Sequence, residues 1–259
     1  MLTQYRIYFD HHARRVVRPE WGYALYAVLL EHAPPAFAEY LHQSPVTPIS
    51  QFLYEDGGGN PVWVVNLLGN ACEHALSDYL DRVRTVTLNR EQVILRVSHK
   101  ERRFIPDVET LLSASYSYSN FNSNSNFNSG KKSGVRTLRF LTPTAFKSRE
   151  QYRNFPDSRL ILQSLIKKWN GCVSDCPIED EDGQGVETMA DGLLFRRFRI
   201  QDSVYVLKRN EIPGFIGEIS VENHLNRFQR PLADALLTFS NFAGIGIKTA
   251  LGMGGIELF

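Results

Sequence analysis

The sequence predicts an α+β protein built from two consecutive domains, each a β-sheet covered by helices. In each half of the chain, runs with strand alternation and helical apolar stripes follow one another in the order β-α-β-β-α-β. One Ser/Asn-rich segment separates the two halves. We therefore expect tandem ferredoxin-like (RRM-like, βαββαβ) domains over residues 1–112 and 133–259, joined by a connection over residues 113–132.

Each element of the first half has its own local signal. Aromatic and β-branched residues indicate strands, apolar residues at helical spacing indicate helices, and Pro34 and Pro35 separate the first two helices. The stretch 62–68 fits a strand or the approach to a helix. In chain order we expect strand 5–9, helix 21–30, helix 36–42, strand 49–54, strand 62–68, helix 72–83, strand 86–88 and strand 92–97.

The second half repeats this plan in outline, although no sequence repeat is visible. Ser and Asn dominate the connection, and a segment that buries so little apolar surface is expected to be exposed and mobile. Pro231 fits the first turn of a helix. The expected elements are strand 136–141, helix 161–169, an acidic loop over 170–185, strands 193–200, 204–207 and 215–221, a helix after Pro231, and a last strand 256–259.

Composition excludes several classes of protein. The chain is 43% hydrophobic and 22% charged, as is usual for a globular protein. Its net charge of +1 means that any RNA site must gather its cations locally. No apolar run approaches the ~20 residues that span a bilayer, so we expect no membrane partner. Three cysteines argue against a disulfide framework and favour a reducing cytoplasm.

The C-terminal segment 244–255 is a glycine-rich loop with five glycines in twelve residues. Glycine adopts positive φ without strain and lets backbone N–H groups approach a ligand closely, so such a flexible loop can bind phosphate while Lys248 adds charge. The spacing matches neither a Walker loop nor a dinucleotide-binding fingerprint. A tight turn before the last strand is an equally good interpretation of the loop taken alone.

Three stretches together resemble a known family. They are the Gly-apolar-Gly pairs of the terminal loop, the segment Tyr40-Leu-His-Gln-Ser44 with Thr47-Pro-Ile-Ser50, and the strand Leu138-Arg-Phe-Leu-Thr-Pro-Thr-Ala-Phe146. In this order they resemble the CRISPR-associated (RAMP) RNA-binding superfamily, especially its precursor-RNA processing endoribonucleases. The resemblance spans nearly the whole chain and implies two ferredoxin-like domains.

The resemblance also implies an activity. Relatives of this type cleave CRISPR repeat RNA into guide RNAs without metal or cofactor, by attack of a 2′-hydroxyl that leaves a 2′,3′-cyclic phosphate. His42, after Leu41, matches the family's catalytic histidine, and a histidine side chain suits proton transfer as general base or acid near neutral pH. Tyr26 corresponds best to the tyrosine partner, with Tyr23 as a rival. No lysine stands shortly after His42, where some relatives have one.

For RNA binding, the resemblance points to the terminal loop and to basic residues that can contact phosphates. The expected set is Gly244, Gly246, Lys248, Gly252, Gly254, Arg139, Lys147, Arg14, Arg15 and Arg18. CRISPR repeat RNA, as precursor and as mature guide, is the implied partner. Other subunits of a CRISPR effector complex and a second copy of the chain are further partners that the sequence leaves open.

Two other functions remain open from the sequence. One is a non-catalytic guide-RNA-binding subunit of a CRISPR effector complex, which the missing lysine favours. The other is an unrelated two-domain protein whose glycine loop binds a small phosphate compound. We do not expect the acidic run at 179–182 to bind metal, because consecutive acids in a glycine-flanked loop are usually solvated. Cys172 and Cys176 lack the second pair that a zinc site needs.

Overall fold

The computed structural model describes residues 1–10, 17–121, 135–173 and 175–259. The first domain carries a five-stranded antiparallel sheet in the order β2-β3-β1-β5-β4, with three helices. Four of these strands have the ferredoxin-like arrangement, and β4 adds an edge strand. The elements are β1 (Leu2–Phe9), α1 (Trp21–His32), α2 (Pro35–Gln43), β2 (Ile49–Glu55), β3 (Pro61–Leu68), α3 (Asn70–Arg82), β4 (Thr85–Leu88) and β5 (Val93–Ile105).

The second domain has the same plan, with a four-stranded antiparallel sheet in the order β11-β6-β10-β9 and a separate hairpin, β7-β8. Both ferredoxin-like domains predicted from the sequence are therefore confirmed. The remaining elements are α4 (Val108–Phe121), β6 (Val135–Thr144), β7 (Phe146–Ser148), β8 (Gln151–Arg153), α5 (Ser158–Cys172), α6 (Gln184–Gly192), β9 (Leu193–Leu207), β10 (Asn210–Asn223), α7 (Arg230–Ala243) and β11 (Ile256–Leu258).

Two local predictions are wrong. Residues 113–121 are not an irregular connection, because they form the end of α4, whose Leu111 lies in the core of the second domain. Buried Arg136 on β6 donates a 3.0 Å hydrogen bond to the Ser115 carbonyl and so ties this helix to the second sheet. The rest of the predicted connection, 122–132, lies outside the described residues, and the domain limits at 112 and 133 stay a prediction.

The second error concerns β9. We expected separate strands over 193–200 and 204–207, but Leu193–Leu207 is a single strand paired with β10 along its length. The polar residues Gln201, Asp202 and Ser203 interrupt the apolar pattern without interrupting the ladder, since strand pairing uses backbone groups. The sequence also gave no sign of α6 or of the β7-β8 hairpin.

A buried glutamine joins the two domains. Gln51 on β2 donates to the carbonyls of Gly22 at 2.7 Å and of Ala250 at 2.8 Å, and it accepts 2.9 Å from the Trp63 indole. Its side chain thus links α1 and the first sheet to the glycine-rich loop of the second domain. Beside it, the Ser50 hydroxyl donates to the carbonyl of Phe242 in α7 at 2.6 Å. These polar contacts hold the domains in one relative position.

We predict that Gln51→Leu lowers the free energy of unfolding by about 3 kcal/mol, because it removes two hydrogen bonds to buried carbonyls and leaves the buried Trp63 indole without its partner. Urea denaturation measures this change. Gln201→Leu, at an exposed position of β9, is the control and stays within about 0.5 kcal/mol of the parent. An equal effect of the two substitutions would show that Gln51 does not join the domains.

Candidate active site

The main candidate site is a cleft of about 760 Å³ between the two domains. Its walls come from α1, the segment after α2, the β7-β8 hairpin, α5 and the glycine-rich loop. Five cationic side chains and one carboxylate line it, namely Lys147, Arg149, Glu150, Lys167, Lys168 and Lys248. A nearly neutral chain therefore gathers positive charge in this cleft, as an RNA site requires.

The glycine-rich loop forms one wall, and four of its glycines have positive φ: Gly244 (67°), Gly246 (83°), Gly252 (105°) and Gly254 (66°). A side chain has no room at these places. A Cβ on Gly254 would lie 2.0 Å from the Ile245 carbonyl oxygen, and one on Gly246 would lie 2.3 Å from that of Ala145. The glycines are thus required by the conformation and packing of the loop itself.

The loop's backbone donors are largely used within the protein. The N–H of Gly246 donates to the Ser164 hydroxyl, that of Gly254 donates to the Pro143 carbonyl, and that of Gly244 donates to the carbonyl of Ser240. Most of the loop is buried, and the exposed part lies around Lys248. The expectation of a flexible loop is therefore wrong, because packing on both domains fixes it. RNA contact by its glycines stays a prediction.

Lys248 and Lys147 are the predicted RNA-binding lysines that line the cleft. Lys248 is exposed and itself adopts a left-handed backbone conformation, with φ 54°, immediately before a 3₁₀ turn, Thr249–Leu251. Lys147 on β7 forms an ion pair with Glu150 in the turn of the hairpin. An RNA phosphate would compete with this exposed carboxylate for Lys147, whereas Lys248 has no such competitor among the described residues.

His42 lies at the C-terminal end of α2, where its side chain is exposed. The preceding Leu41 is 5% exposed and packs in the first core, which fixes the helix and points the imidazole away from the core. The chain then turns, and Pro45, Val46 and Thr47 line the cleft. His42 therefore stands beside the cleft at the end of the helix that leads into its wall, and its side chain does not itself line the cleft.

Tyr26 on α1 lines the cleft, where burial raises the pKa of its hydroxyl group above the ordinary value. Its rival Tyr23 instead lies under the Lys208 ammonium group, 5.6 Å from the ring centroid. The structure thus separates Tyr26 from Tyr23 as the aromatic residue at the cleft.

Of the predicted arginines, Arg139 and Arg18 lie outside the cleft. Arg139 pairs with Glu218 at 2.6 Å, lies 4.7 Å from the Phe259 ring centroid, and lines a second hollow of about 450 Å³ together with Arg199. Arg18 is exposed just before α1 and does not line the cleft. Arg14 and Arg15 lie outside the described residues. The structure therefore does not bring Arg139 or Arg18 together with Lys248.

The acidic run and Cys72 have structural explanations. Asp180 accepts hydrogen bonds from the N–H groups of Gly185 (2.8 Å) and Val186 (2.9 Å) and so stabilises the start of α6. In the described part of the chain, no three His, Cys, Asp or Glu side chains are grouped to hold a metal ion. Cys72 is buried in the first core and donates to the Pro48 carbonyl.

Comparison with known proteins identifies the family. The family model described as "CRISPR-associated endoribonuclease Cas6" matches residues 138–256. A protein of that name from Streptococcus thermophilus is 30% identical over 247 residues, which are 95% of each chain. The chain belongs to the Cas6 family. It is thus an RNA endonuclease of the RAMP superfamily, and the resemblance found in the sequence is confirmed.

Solved Cas6 structures agree with this fold. A Cas6 product complex matches with a TM-score of 0.73 at 18% identity, over 100% of this chain and 99% of that chain. Thermus thermophilus Cas6 matches with a TM-score of 0.69 at 20% identity, over 100% and 98%. No helix among the described residues is long and apolar enough to cross a bilayer.

The packing of the glycine-rich loop leads to a prediction about Gly254. We expect Gly254→Ala to lower the free energy of unfolding by about 2 kcal/mol or more, because a Cβ there requires a strained backbone and meets the Ile245 carbonyl. Gly57→Ala is the matched control, since a Cβ at Gly57 meets nothing within 4 Å. Urea denaturation compares the two, and equal stabilities would contradict the packing described for the loop.

Proposed function

We propose that the protein cleaves CRISPR repeat precursor RNA into guide RNAs at the cleft between its domains, without a metal ion. The observation that carries this proposal is the set of cationic side chains placed around Tyr26 in that cleft, with His42 at the end of the adjoining helix. The Cas6 neighbours solved as product and substrate-mimic complexes support an RNA substrate.

The proposed reaction is an internal attack. The 2′-hydroxyl loses its proton and attacks the adjacent 3′-phosphate, the bond to the 5′-oxygen breaks, and the leaving oxygen gains a proton. The products are a 2′,3′-cyclic phosphate and a 5′-hydroxyl, so no water is consumed. Positioned acids and bases contribute about 10²–10⁴-fold each, and in-line alignment contributes a comparable or larger factor.

The environments of the two catalytic candidates suggest their roles. Burial raises the pKa of the Tyr26 hydroxyl, so this group keeps its proton at neutral pH and acts as a donor. It would donate to the phosphate or to the leaving 5′-oxygen. His42, whose side chain is exposed at the end of α2, would then accept the 2′-hydroxyl proton. The lysines of the cleft would stabilise the added charge on the phosphate.

Arg139 and Arg18, which lie outside the cleft, would extend the RNA-binding surface if the RNA continues past it. Arg14 and Arg15 stay in the proposed RNA-binding set through the family resemblance alone. We also propose that the protein acts in the cytoplasm, where its three free cysteines stay reduced. Association with other CRISPR effector subunits, or as a homodimer, remains part of this proposal. It requires surfaces other than the cleft, so RNA cleavage and assembly can be measured independently.

The catalytic prediction concerns His42. Cleavage of CRISPR repeat RNA in EDTA should fall about 10²–10⁴-fold in His42→Ala, because the 2′-hydroxyl loses its proton acceptor. His74→Ala, at an exposed position of α3, should stay within about twofold. Single-turnover rates measure the change, and end-group analysis of the product should find the cyclic phosphate.

Three outcomes would contradict the mechanism: full activity of His42→Ala, a parent protein that cleaves only with magnesium, or a 3′-hydroxyl product. A parent protein that binds repeat RNA without cutting it would instead support the non-catalytic subunit. That alternative retains one structural observation in its favour, since the His42 side chain does not line the cleft.

The binding prediction concerns Lys248. Lys248→Ala should weaken repeat-RNA binding and reduce the slope of log affinity against log salt by about 1, because one phosphate contact is lost. Arg90→Ala, exposed in the turn between β4 and β5, should change neither quantity. Binding is measured from 50 to 200 mM salt, and an unchanged slope for Lys248→Ala would exclude the loop lysine from the RNA interface.

A further inference from the structure

The helix α5 presents two polar side chains to the glycine-rich loop. Ser164 and Lys168 are four residues apart and therefore lie on the same face of the helix. The Ser164 hydroxyl accepts the N–H of Gly246 at 3.3 Å. The Lys168 ammonium group donates to the carbonyl of Ala243, at the end of α7, and to the hydroxyl group of Thr249. One lysine thus contacts the loop near both its beginning and its middle.

Thr249, which accepts a hydrogen bond from Lys168, also packs against other parts of the loop. It is 5% exposed, and its Cγ2 lies within 3.1 Å of where a Cβ would stand on Gly244 and on Gly254. The methyl group therefore packs against both ends of the loop while the hydroxyl group faces Lys168. Because Thr249 directly follows Lys248, the position of Lys168 also determines where the exposed Lys248 ammonium group can reach.

Lys168 lacks the usual partner of a half-buried cation. No carboxylate among the described residues forms a salt bridge with it, and its hydrogen-bond acceptors are uncharged. Burial lowers the pKa of its ammonium group to about 8. An apolar side chain would fill this place without the cost of removing a charge from water. A function for the ammonium group would explain why a lysine stands here. Lys168 also lines the cleft, where an anion would act as the missing counter-ion.

We propose that Lys168 is a positioning residue of the RNA-cleaving site. Its ammonium group holds the glycine-rich loop in the conformation that receives RNA, and it keeps a positive charge behind that loop for the phosphate. This charge takes the place of the lysine that is missing after His42. The inference rests on the proposed function, since it assigns a residue to the same cleft.

The test compares five variants in single-turnover cleavage and binding of CRISPR repeat RNA. Lys168→Met removes both the hydrogen bonds to the loop and the positive charge. We expect the cleavage rate to fall about tenfold to a hundredfold, because small displacements in an active site cause losses of this size. Thr249→Val removes the hydroxyl group but keeps the charge, so its loss should be smaller. In the double variant the losses should not add, because both substitutions break the same contact.

The matched control is Lys100→Met. Like Lys168, Lys100 on β5 donates two hydrogen bonds near the end of a helix, here to the carbonyls of Leu80 at 2.7 Å and Asp81 at 2.8 Å, and burial likewise lowers the pKa of its ammonium group. It does not line the cleft. Lys100→Met therefore reports the general cost of losing such a lysine, and cleavage should stay within about twofold of the parent.

The pH dependence of RNA affinity shows whether Lys168 acts through its positive charge or only through its hydrogen bonds to the loop. Bound RNA favours the charged ammonium group, so affinity should be full below about pH 8 and should fall as pH rises above it, by up to about tenfold per unit. Lys168→Arg stays charged and should lose this fall. The other titratable groups around the cleft are Tyr26, Lys147, Arg149, Glu150, Lys167, Cys172 and Lys248.

The outcomes are distinguishable. If the parent protein does not cleave repeat RNA, the proposed function fails. If the parent cleaves and Lys168→Met behaves like Lys100→Met, the inference about Lys168 is overturned. If the affinity of Lys168→Arg for RNA falls with rising pH as that of the parent does, the role proposed for the Lys168 charge is overturned. Should Lys168→Met not fold, Thr249→Val and Lys168→Arg decide: unchanged cleavage in Thr249→Val overturns the positioning of the loop.

Discussion

The close approach of the two domains at Gly22 and Gly252 is the constraint on which the rest of the structure depends. A Cβ on Gly22 would lie 2.7 Å from the Gly252 Cα, so the backbones of α1 and the glycine-rich loop touch directly. Gln51 connects the two backbones at the same place by donating hydrogen bonds to the carbonyl of Gly22 on α1 and to that of Ala250 in the loop. Tyr205 on β9 donates to the Leu251 carbonyl and completes the enclosure of the loop. The loop is therefore a part of the domain interface.

The contact between α1 and the glycine-rich loop explains how a nearly neutral protein can form a cationic site. Because the loop is fixed against α1, Lys248 and Tyr26 lie in the same cleft although they are far apart in sequence. The hairpin and α5 complete the walls and bring further lysines to it. Charges that would be screened when dispersed over the surface act together within about 10 Å in such a cleft. Proton transfer by His42 would then take place at the edge of this positively charged cleft.

Local patterns predicted most of the fold from the sequence. Aromatic and β-branched composition identified β1, alternation identified β4, β5 and β6, and the helical stripes identified α3 and α5, because each pattern depends on residues close together in the chain. The single β9 and the continuation of α4 were missed because backbone pairing and packing on a distant core override local polarity.

The site was predicted less completely, for a related reason. His42, Tyr26 and the terminal glycines were identified through the family resemblance, whereas Lys168 and Gln51 gave no local signal. Lys168 contacts Thr249 across 81 positions and Gln51 contacts Ala250 across 199, so only the folded chain reveals their partners. The glycine spacing predicted the positive φ values, but it did not show that the N–H groups would be used within the protein.

The central claim is that the scissile phosphate of a repeat RNA lies in the cleft between Tyr26 and the glycine-rich loop, next to His42. A crystal structure with repeat RNA carrying a 2′-deoxy group at the cleavage site tests this most directly, because that RNA binds without reacting. We expect the scissile phosphate to face the Tyr26 hydroxyl and Lys248, with the ribose toward His42. A phosphate bound instead at the hollow lined by Arg139 and Arg199, with the cleft empty, would contradict the account.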